Sequence, residues 1–289
     1  MNYLLILGAR GQVGHALAVE SNRRGIEIKA FGHAECDISD PDAVARAVAG
    51  TRCVINCAAY TAVDRAETDA ETAFRVNAGG AGNVATACAE ASIPLVHIST
   101  DYVFDGENPN PAREIDLPRP INVYGQSKLD GETEVRKRLA SHIILRTSWV
   151  FSADGENFVK TILRLAAGSS PLRIVSDQTG GPTAAADIAK AILDIVSICT
   201  KPEFSSWGTY HFSGAPPVSW FEFAQAIVAT RPIEVIPITT KEFPRPARRP
   251  PNSVLDCGRI LQVFGLTQPD WRPALQSVLK NLTPPPNFV

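Results

Sequence analysis

The sequence has no long hydrophobic run. Its apolar stretches, such as Tyr3–Leu7, fall far short of a membrane span. Nor does it carry an excess of charge. Lys and Arg total 28 against 30 Asp and Glu, a formal net charge of −2, which excludes the electrostatic footprint of a nucleic-acid or membrane-surface binder. The stretch after Met1 lacks the basic region and cleavage site of a secretion signal, so a cytoplasmic location is expected. None of the six cysteines forms a Cys-x-x-Cys pair, which points to reduced structural thiols rather than disulfides or zinc. No His/Asp/Glu cluster has metal-ligand spacing, and no metal site is expected. Ser99 has no glycine elbow, which argues against a serine hydrolase. There is no internal repeat and no low-complexity tract.

What is present is an ordinary globular composition, 45% hydrophobic and 20% charged over 289 residues. That is enough for one large domain or two unequal ones. In the first half, short apolar runs predict strands at Tyr3–Leu7, Ile26–Phe31, Cys53–Cys57, Leu95–Ser99 and Ile143–Thr147. Amphipathic stretches predict helices at Val13–Arg24, Pro41–Ala49, Asp69–Ala91 and Tyr124–Leu139. Continuous apolar strands alternating with helices predict an α/β fold, a Rossmann-type doubly wound parallel sheet covered on both faces. The second half is less regular, with helices expected near Asn157–Ala167, Ala184–Val196 and Trp220–Ala229 and strands near Leu172–Val175 and Thr209–Phe212. It reads as a smaller C-terminal substrate-binding lobe. The expected division is a dinucleotide-binding domain over 1–150 and a lobe over 151–289, some of whose segments return to the core. The proline-rich stretch 243–251 reads as an extended connection.

Gly8, Gly11 and Gly14 follow the first strand and open the first helix. Glycines there allow a tight turn, let the backbone approach a pyrophosphate on the helix N-terminus, and let helix and strand pack closely. The flanking strand and helix are the context that makes this loop, Gly11-Gln12-Val13-Gly14 included, a dinucleotide site. A site preferring NAD carries an acid at the tip of the second strand. Here that tip reads Phe31-Gly32-His33, and Arg10 sits inside the glycine loop, where a guanidinium can meet a 2′-phosphate. NADPH is therefore the expected cofactor, with NADH as the alternative. Asp37 is a candidate contact to the adenine amino group.

Tyr124 and Lys128 are four residues apart on a predicted helix and share a face. A nearby ammonium favours the phenolate, so Lys128 is expected to lower the Tyr124 pKa and make the phenol a proton donor or acceptor near neutral pH.

The glycine spacing with a downstream Tyr-x-x-x-Lys resembles the extended short-chain dehydrogenase/reductase superfamily. Within it, the segments 11–14, 56–64, 99–104, 122–128, 146–150, 177–183 and 249–253 together resemble the dTDP-4-dehydrorhamnose reductase family. The resemblance implies NADPH-dependent reduction of the 4-keto group of dTDP-4-dehydro-L-rhamnose. Thr100, Tyr124 and Lys128 would be catalytic, with Tyr124 as proton donor. Cofactor contacts would fall on Gly8, Arg10, Gly11, Gln12, Val13, Gly14, Asp37, Ile38, Ala59, Tyr60, Thr61, Tyr124 and Lys128. The nucleotide-sugar substrate would meet Thr100, Asp101, Tyr124 and Trp149, the last offering an apolar face and one N–H donor. Some members place an acid soon after the third glycine in a magnesium-linked dimer contact. His15 stands there instead, so Mg²⁺ is not expected, although a homodimer is compatible with the chain.

Two other readings compete. An epimerase or dehydratase of the same superfamily keeps NAD bound, and a dehydratase has a carboxylate pair after the active-site threonine, where this chain has Asp101-Tyr102. A non-catalytic regulatory subunit of methionine adenosyltransferase type would not need Thr100, Tyr124, Lys128 and Trp149 together. Among the remaining residues, His97 and His211 read as satisfied core groups. Asp64, Glu67, Asp69 and Glu71 read as acids opening a helix. Arg245, Arg248 and Arg249 are open to two roles, a diphosphate clamp or a solvated loop.

Overall fold

A computed structural model describes residues 3–168 and 170–282; residues 1–2, 169 and 283–289, the ends of both expected domains among them, lie outside that description. Six strands form one parallel sheet: β1 (Leu4–Leu7), β2 (Ile28–Phe31), β3 (Cys53–Asn56), β4 (Leu95–Thr100), β5 (His142–Thr147) and, from the second half, β10 (Gly208–His211). Their order is β10-β5-β4-β3-β1-β2. The direction of winding reverses between β1 and β3, and open α/β sheets bind ligands beyond the carboxyl ends of the strands at such a point.

Alternation along β1 shows why the sheet is covered twice. Leu4 and Ile6 face one apolar cluster, Leu5 and Leu7 the other, and all four are fully buried. Helices α1 (Gln12–Arg23), α8 (Ala185–Cys199) and α10 (Gly258–Phe264) cover the first face. Helices α2 (Pro41–Val48), α5 (Ala81–Glu90) and α6 (Val123–Arg138) cover the second, with the short α3 (Val63–Ala66) and α4 (Ala70–Phe74) leading into it. A third cluster joins α7 (Phe158–Leu165), α9 (Trp220–Ile227) and α11 (Trp271–Leu282) with the paired strands β7 (Leu172–Val175) and β12 (Val235–Ile238). Two pairs of short strands complete it: β6 (Val150–Phe151) with β9 (Thr183–Ala184), and β8 (Thr179–Gly180) with β11 (Val218–Ser219).

Most element ends differ by one or two residues from the sequence expectation. One difference is larger. The single helix expected over Asp69–Ala91 is three pieces, because Arg75–Gly80 winds as a π-helix between α4 and α5. Such bulges mark functional segments, and this one carries Asn77.

Candidate active site

The glycine loop turns sharply where β1 ends. Gly8 has φ +78°, and a Cβ there would lie 2.5 Å from the Ala58 backbone nitrogen. A Cβ on Gly14 would lie 2.3 Å from the Gly8 carbonyl oxygen, so this glycine is what lets α1 close against the loop. Helix α1 begins at Gly11 with no side-chain cap and no acid in its first turn. Its free N–H groups and positive dipole end are therefore left for an anion.

That N-terminus opens into a cavity of about 830 Å³. Every cofactor, catalytic and substrate residue named from the sequence lines it, from Gly8, Arg10 and Asp37 through Ala59–Thr61 to Thr100, Asp101, Tyr124, Lys128 and Trp149. The volume lies within the range of ligand clefts. The uncapped helix end, the two glycines that no Cβ could replace and the flanking Arg10 are a donor set that fits a dinucleotide.

Lys128 is 2% exposed, and its ammonium donates to the Ile98 carbonyl at 2.7 Å. Burial brings its pKa down to about 8, against the opposing pull of Glu132 one turn along α6. Glu132 is itself fully buried. It accepts from Ser99 Oγ at 2.6 Å and from the Arg146 guanidinium at 2.8 and 2.7 Å, tying α6 to β4 and β5. Thr100 Oγ1 donates to Asp101 Oδ1 at 2.9 Å and accepts from the Tyr102 N–H at 3.1 Å. Burial pushes the Asp101 carboxyl up to about 7, against the Ser253 and Thr100 hydroxyls.

The Tyr124 phenol departs from the sequence expectation. Its pKa is raised, first by burial and then by the negative charge of Asp101, while the Thr100 hydroxyl works the other way. The groups that set it are burial, Asp101 and Thr100, and the Lys128 ammonium donates to the Ile98 carbonyl. Tyr124 is thus held as the protonated phenol, the form that donates.

Several residues that shape the site escaped the sequence reading. Asn77, 1% exposed in the π-helix, accepts from the Tyr60 N–H at 2.8 Å. Its Nδ2 donates to the Tyr60 carbonyl at 3.0 Å and to Ser127 Oγ at 2.9 Å. It holds the loop after β3 against α6. The Gly79–Gly80 pair beside it was the available signal. Glu35 supplies the acid missing from the tip of β2. Its carboxylate folds back to accept from the Gly32 N–H at 2.9 Å and pairs with Arg10 at 2.7 Å. Trp220 also lines the cavity, stacked on Trp149.

The helix-opening acids turn out to make specific tertiary contacts. Asp64 pairs with Arg245 at 2.5 Å and Arg249 at 2.6 Å, which commits both guanidinium groups and removes them as a free diphosphate clamp. Glu67 accepts from the Val123 N–H at 2.9 Å and so anchors the start of α6. Asp69 accepts from the Tyr60 hydroxyl at 3.1 Å. His211 is satisfied by Arg146 and the Ala112 carbonyl. His97 is only half satisfied: Nδ1 meets Asn56 at 3.2 Å, whereas buried Nε2 has no partner among the described residues. His15 lies 3.1 Å from Asp154. Among the described residues no group of three or more His, Cys, Asp or Glu is placed to hold a metal ion, and the six cysteines are free.

The chain is similar to known proteins over nearly its whole length. The family model described as the RmlD substrate binding domain matches residues 1–283. The dTDP-4-dehydrorhamnose reductase of Aggregatibacter actinomycetemcomitans is 42% identical, over 96% of this chain and 98% of its own. Among solved structures, the dTDP-4-dehydrorhamnose reductase of Bacillus anthracis in complex with NADP superposes with a TM-score of 0.90 at 38% identity, covering 97% of this chain and all (100%) of that one. The Clostridium acetobutylicum orthologue gives a TM-score of 0.92 at 36% identity, over 98% and 99% of the two chains.

Proposed function

The chain belongs to the dTDP-4-dehydrorhamnose reductase family, and from that premise we infer that it reduces the 4-keto group of dTDP-4-dehydro-L-rhamnose, giving dTDP-L-rhamnose. The observation that carries the reading is the single cavity in which an uncapped helix end, a protonated phenol and an indole edge converge. NADPH, or NADH in its place, supplies the hydride when bound. The loop 8–14 and the α1 N-terminus take its pyrophosphate. Arg10 meets a 2′-phosphate, Asp37 and Ile38 line the adenine end, and Ala59–Thr61 close over the middle.

Lys128 holds the nicotinamide ribose, and its ammonium compensates the charge left on the phenolate. As the sugar oxygen becomes negative, Tyr124 delivers its proton to it. Thr100 orders that oxygen and the phenol together. The phenol is protonated at neutral pH and so carries the proton that this direction of reaction needs. Residues 1–150 then carry mainly the dinucleotide and 151–289 mainly the substrate, with α8 and β10 returning to the sheet. The reaction belongs in the cytoplasm, where reduced cofactor and sugar nucleotide are both found; among the described residues no helix is long and apolar enough to cross a membrane. A homodimer is compatible with this reading, and sedimentation velocity decides it.

The test is direct. Freshly made dTDP-4-dehydro-L-rhamnose is mixed with the protein, and NADPH and NADH absorbance are followed separately. Loss of absorbance with one equivalent of dTDP-L-rhamnose is expected. Absence of turnover with either cofactor contradicts the assignment.

A further inference from the structure

Trp149 and Trp220 are stacked face to face, with ring centroids 3.4 Å apart and planes within 3°. Ring quadrupoles disfavour a full sandwich and prefer offset or T-shaped pairs, so the surroundings impose this one. Phe158 packs on Trp220 at 4.4 Å and 49°. The β8–β11 ladder pairs Gly180 with Val218 and so brings Gly180 beside the start of α9.

Gly180 completes the arrangement. A Cβ there would lie 2.4 Å from Trp149 Cε2, 2.5 Å from Nε1 and 2.8 Å from Cζ2. Cε2 is a ring-fusion atom, shielded within the plane by those same two neighbours. An approach that meets Cε2 first must come over the ring face. It comes over the face away from Trp220, because no Trp220 atom is among the nearest three. Both faces of the Trp149 indole are therefore covered, one by Trp220 and one by the Gly180 backbone. The residue also sits at φ +47°, a left-handed conformation unfavourable for a bulky side chain that persists only where packing enforces it. Its N–H has no hydrogen-bond partner among the described residues.

We propose that Trp220 and Gly180 clamp the Trp149 indole, so that it meets the sugar nucleotide through its edge, N–H included, and not as a stacking face. Trp220 is then a positioning residue for substrate recognition, acting through Trp149. The proposal rests on the cavity being the sugar-nucleotide site, as inferred above. It assigns a hydrogen-bond acceptor of the ligand, a hydroxyl or phosphate oxygen, to the indole edge.

Circular dichroism reads the clamp without turnover. Two stacked indoles couple excitonically, so the wild-type spectrum should carry a couplet that is lost in both Trp220→Phe and Trp149→Phe. Saturation with dTDP-L-rhamnose, or with dTDP alone, should leave the couplet in place. A wild-type spectrum without it, or a couplet abolished by ligand, overturns the clamp. Kinetics supply the second readout. Trp149→Phe keeps an aromatic face and loses only the N–H edge, so KM should rise about two- to tenfold, the scale of one lost hydrogen bond. Trp220→Phe should raise KM by more than it lowers kcat. A wild-type KM in Trp149→Phe would mean that the face, not the edge, is used. If the protein turned over no 4-keto sugar at all, the proposed function would fail while the couplet still reported on the clamp.

Discussion

Replacing Asn77 by Ala should loosen the loop after β3 and helix α6 together. Asn77 makes three hydrogen bonds, two to the Tyr60 backbone and one to Ser127 Oγ, and it is 1% exposed. Ser127 in turn donates to the Tyr124 carbonyl at 2.8 Å. Each bond contributes about 1 kcal/mol net, and a buried group left unpaired costs more. Removing all three should therefore cost about 3 kcal/mol. For a chain of this size that corresponds to roughly 6–12 °C in Tm. Ser127→Ala is the graded control: it removes one of the three bonds and leaves both bonds to the Tyr60 backbone in place. Differential scanning calorimetry should rank wild type above Ser127→Ala above Asn77→Ala. NADPH affinity, measured by fluorescence titration, should weaken in the same order, because Tyr60 belongs to the loop that lines the cofactor end. A Tm within about 2 °C of wild type and an unchanged NADPH Kd for Asn77→Ala would refute the reasoning.

Tyr124→Phe should lower kcat by about 10²–10⁴-fold, the scale of general acid catalysis, with NADPH binding nearly retained in the same fluorescence titration. The depressed Lys128 pKa of about 8 sets an alkaline limb: the ammonium is present below that pH and lost above it, so kcat/KM should fall as pH rises through about 8, and Lys128→Met should remove the limb along with most activity. Arg10→Ala should weaken NADPH more than NADH, whereas Glu35→Ala, by freeing Arg10 from its ion pair, should shift the ratio of the two Kd values towards NADPH; isothermal titration with both cofactors reads each sign.

Much of the sheet was legible because buried parallel strands are written as contiguous apolar runs, and β1 with its glycine loop is the clearest case. The Tyr124–Lys128 spacing was legible because both residues lie on one helix, α6. What the sequence hid was tertiary. The spacing of Tyr124 and Lys128 places two groups on one helix face, but it does not reveal that the ammonium donates to the Ile98 carbonyl or that burial and then Asp101 raise the phenol. The apolar pattern over Asp69–Ala91 is continuous and carries no sign of the π-helical segment within it, from which Asn77 bonds a distant loop. A site preferring NAD carries its acid at the tip of the second strand. Glu35 lies several residues later and reaches that tip only by folding back onto the Gly32 N–H. Asp64 is an acid near a helix start in the sequence and an anchor for Arg245 and Arg249 in the fold.

The central claim is that hydride moves from the nicotinamide to carbon 4 of the sugar while Tyr124 supplies the proton. Reaction with NADPH deuterated on the transferred position at nicotinamide carbon 4, followed by NMR of the product, tests this most directly. One deuterium on carbon 4 of dTDP-L-rhamnose for each NADPH oxidised is the result predicted. A product formed without net oxidation of NADPH, or with no deuterium on that carbon, would contradict it and would favour the redox-neutral chemistry of an epimerase or dehydratase.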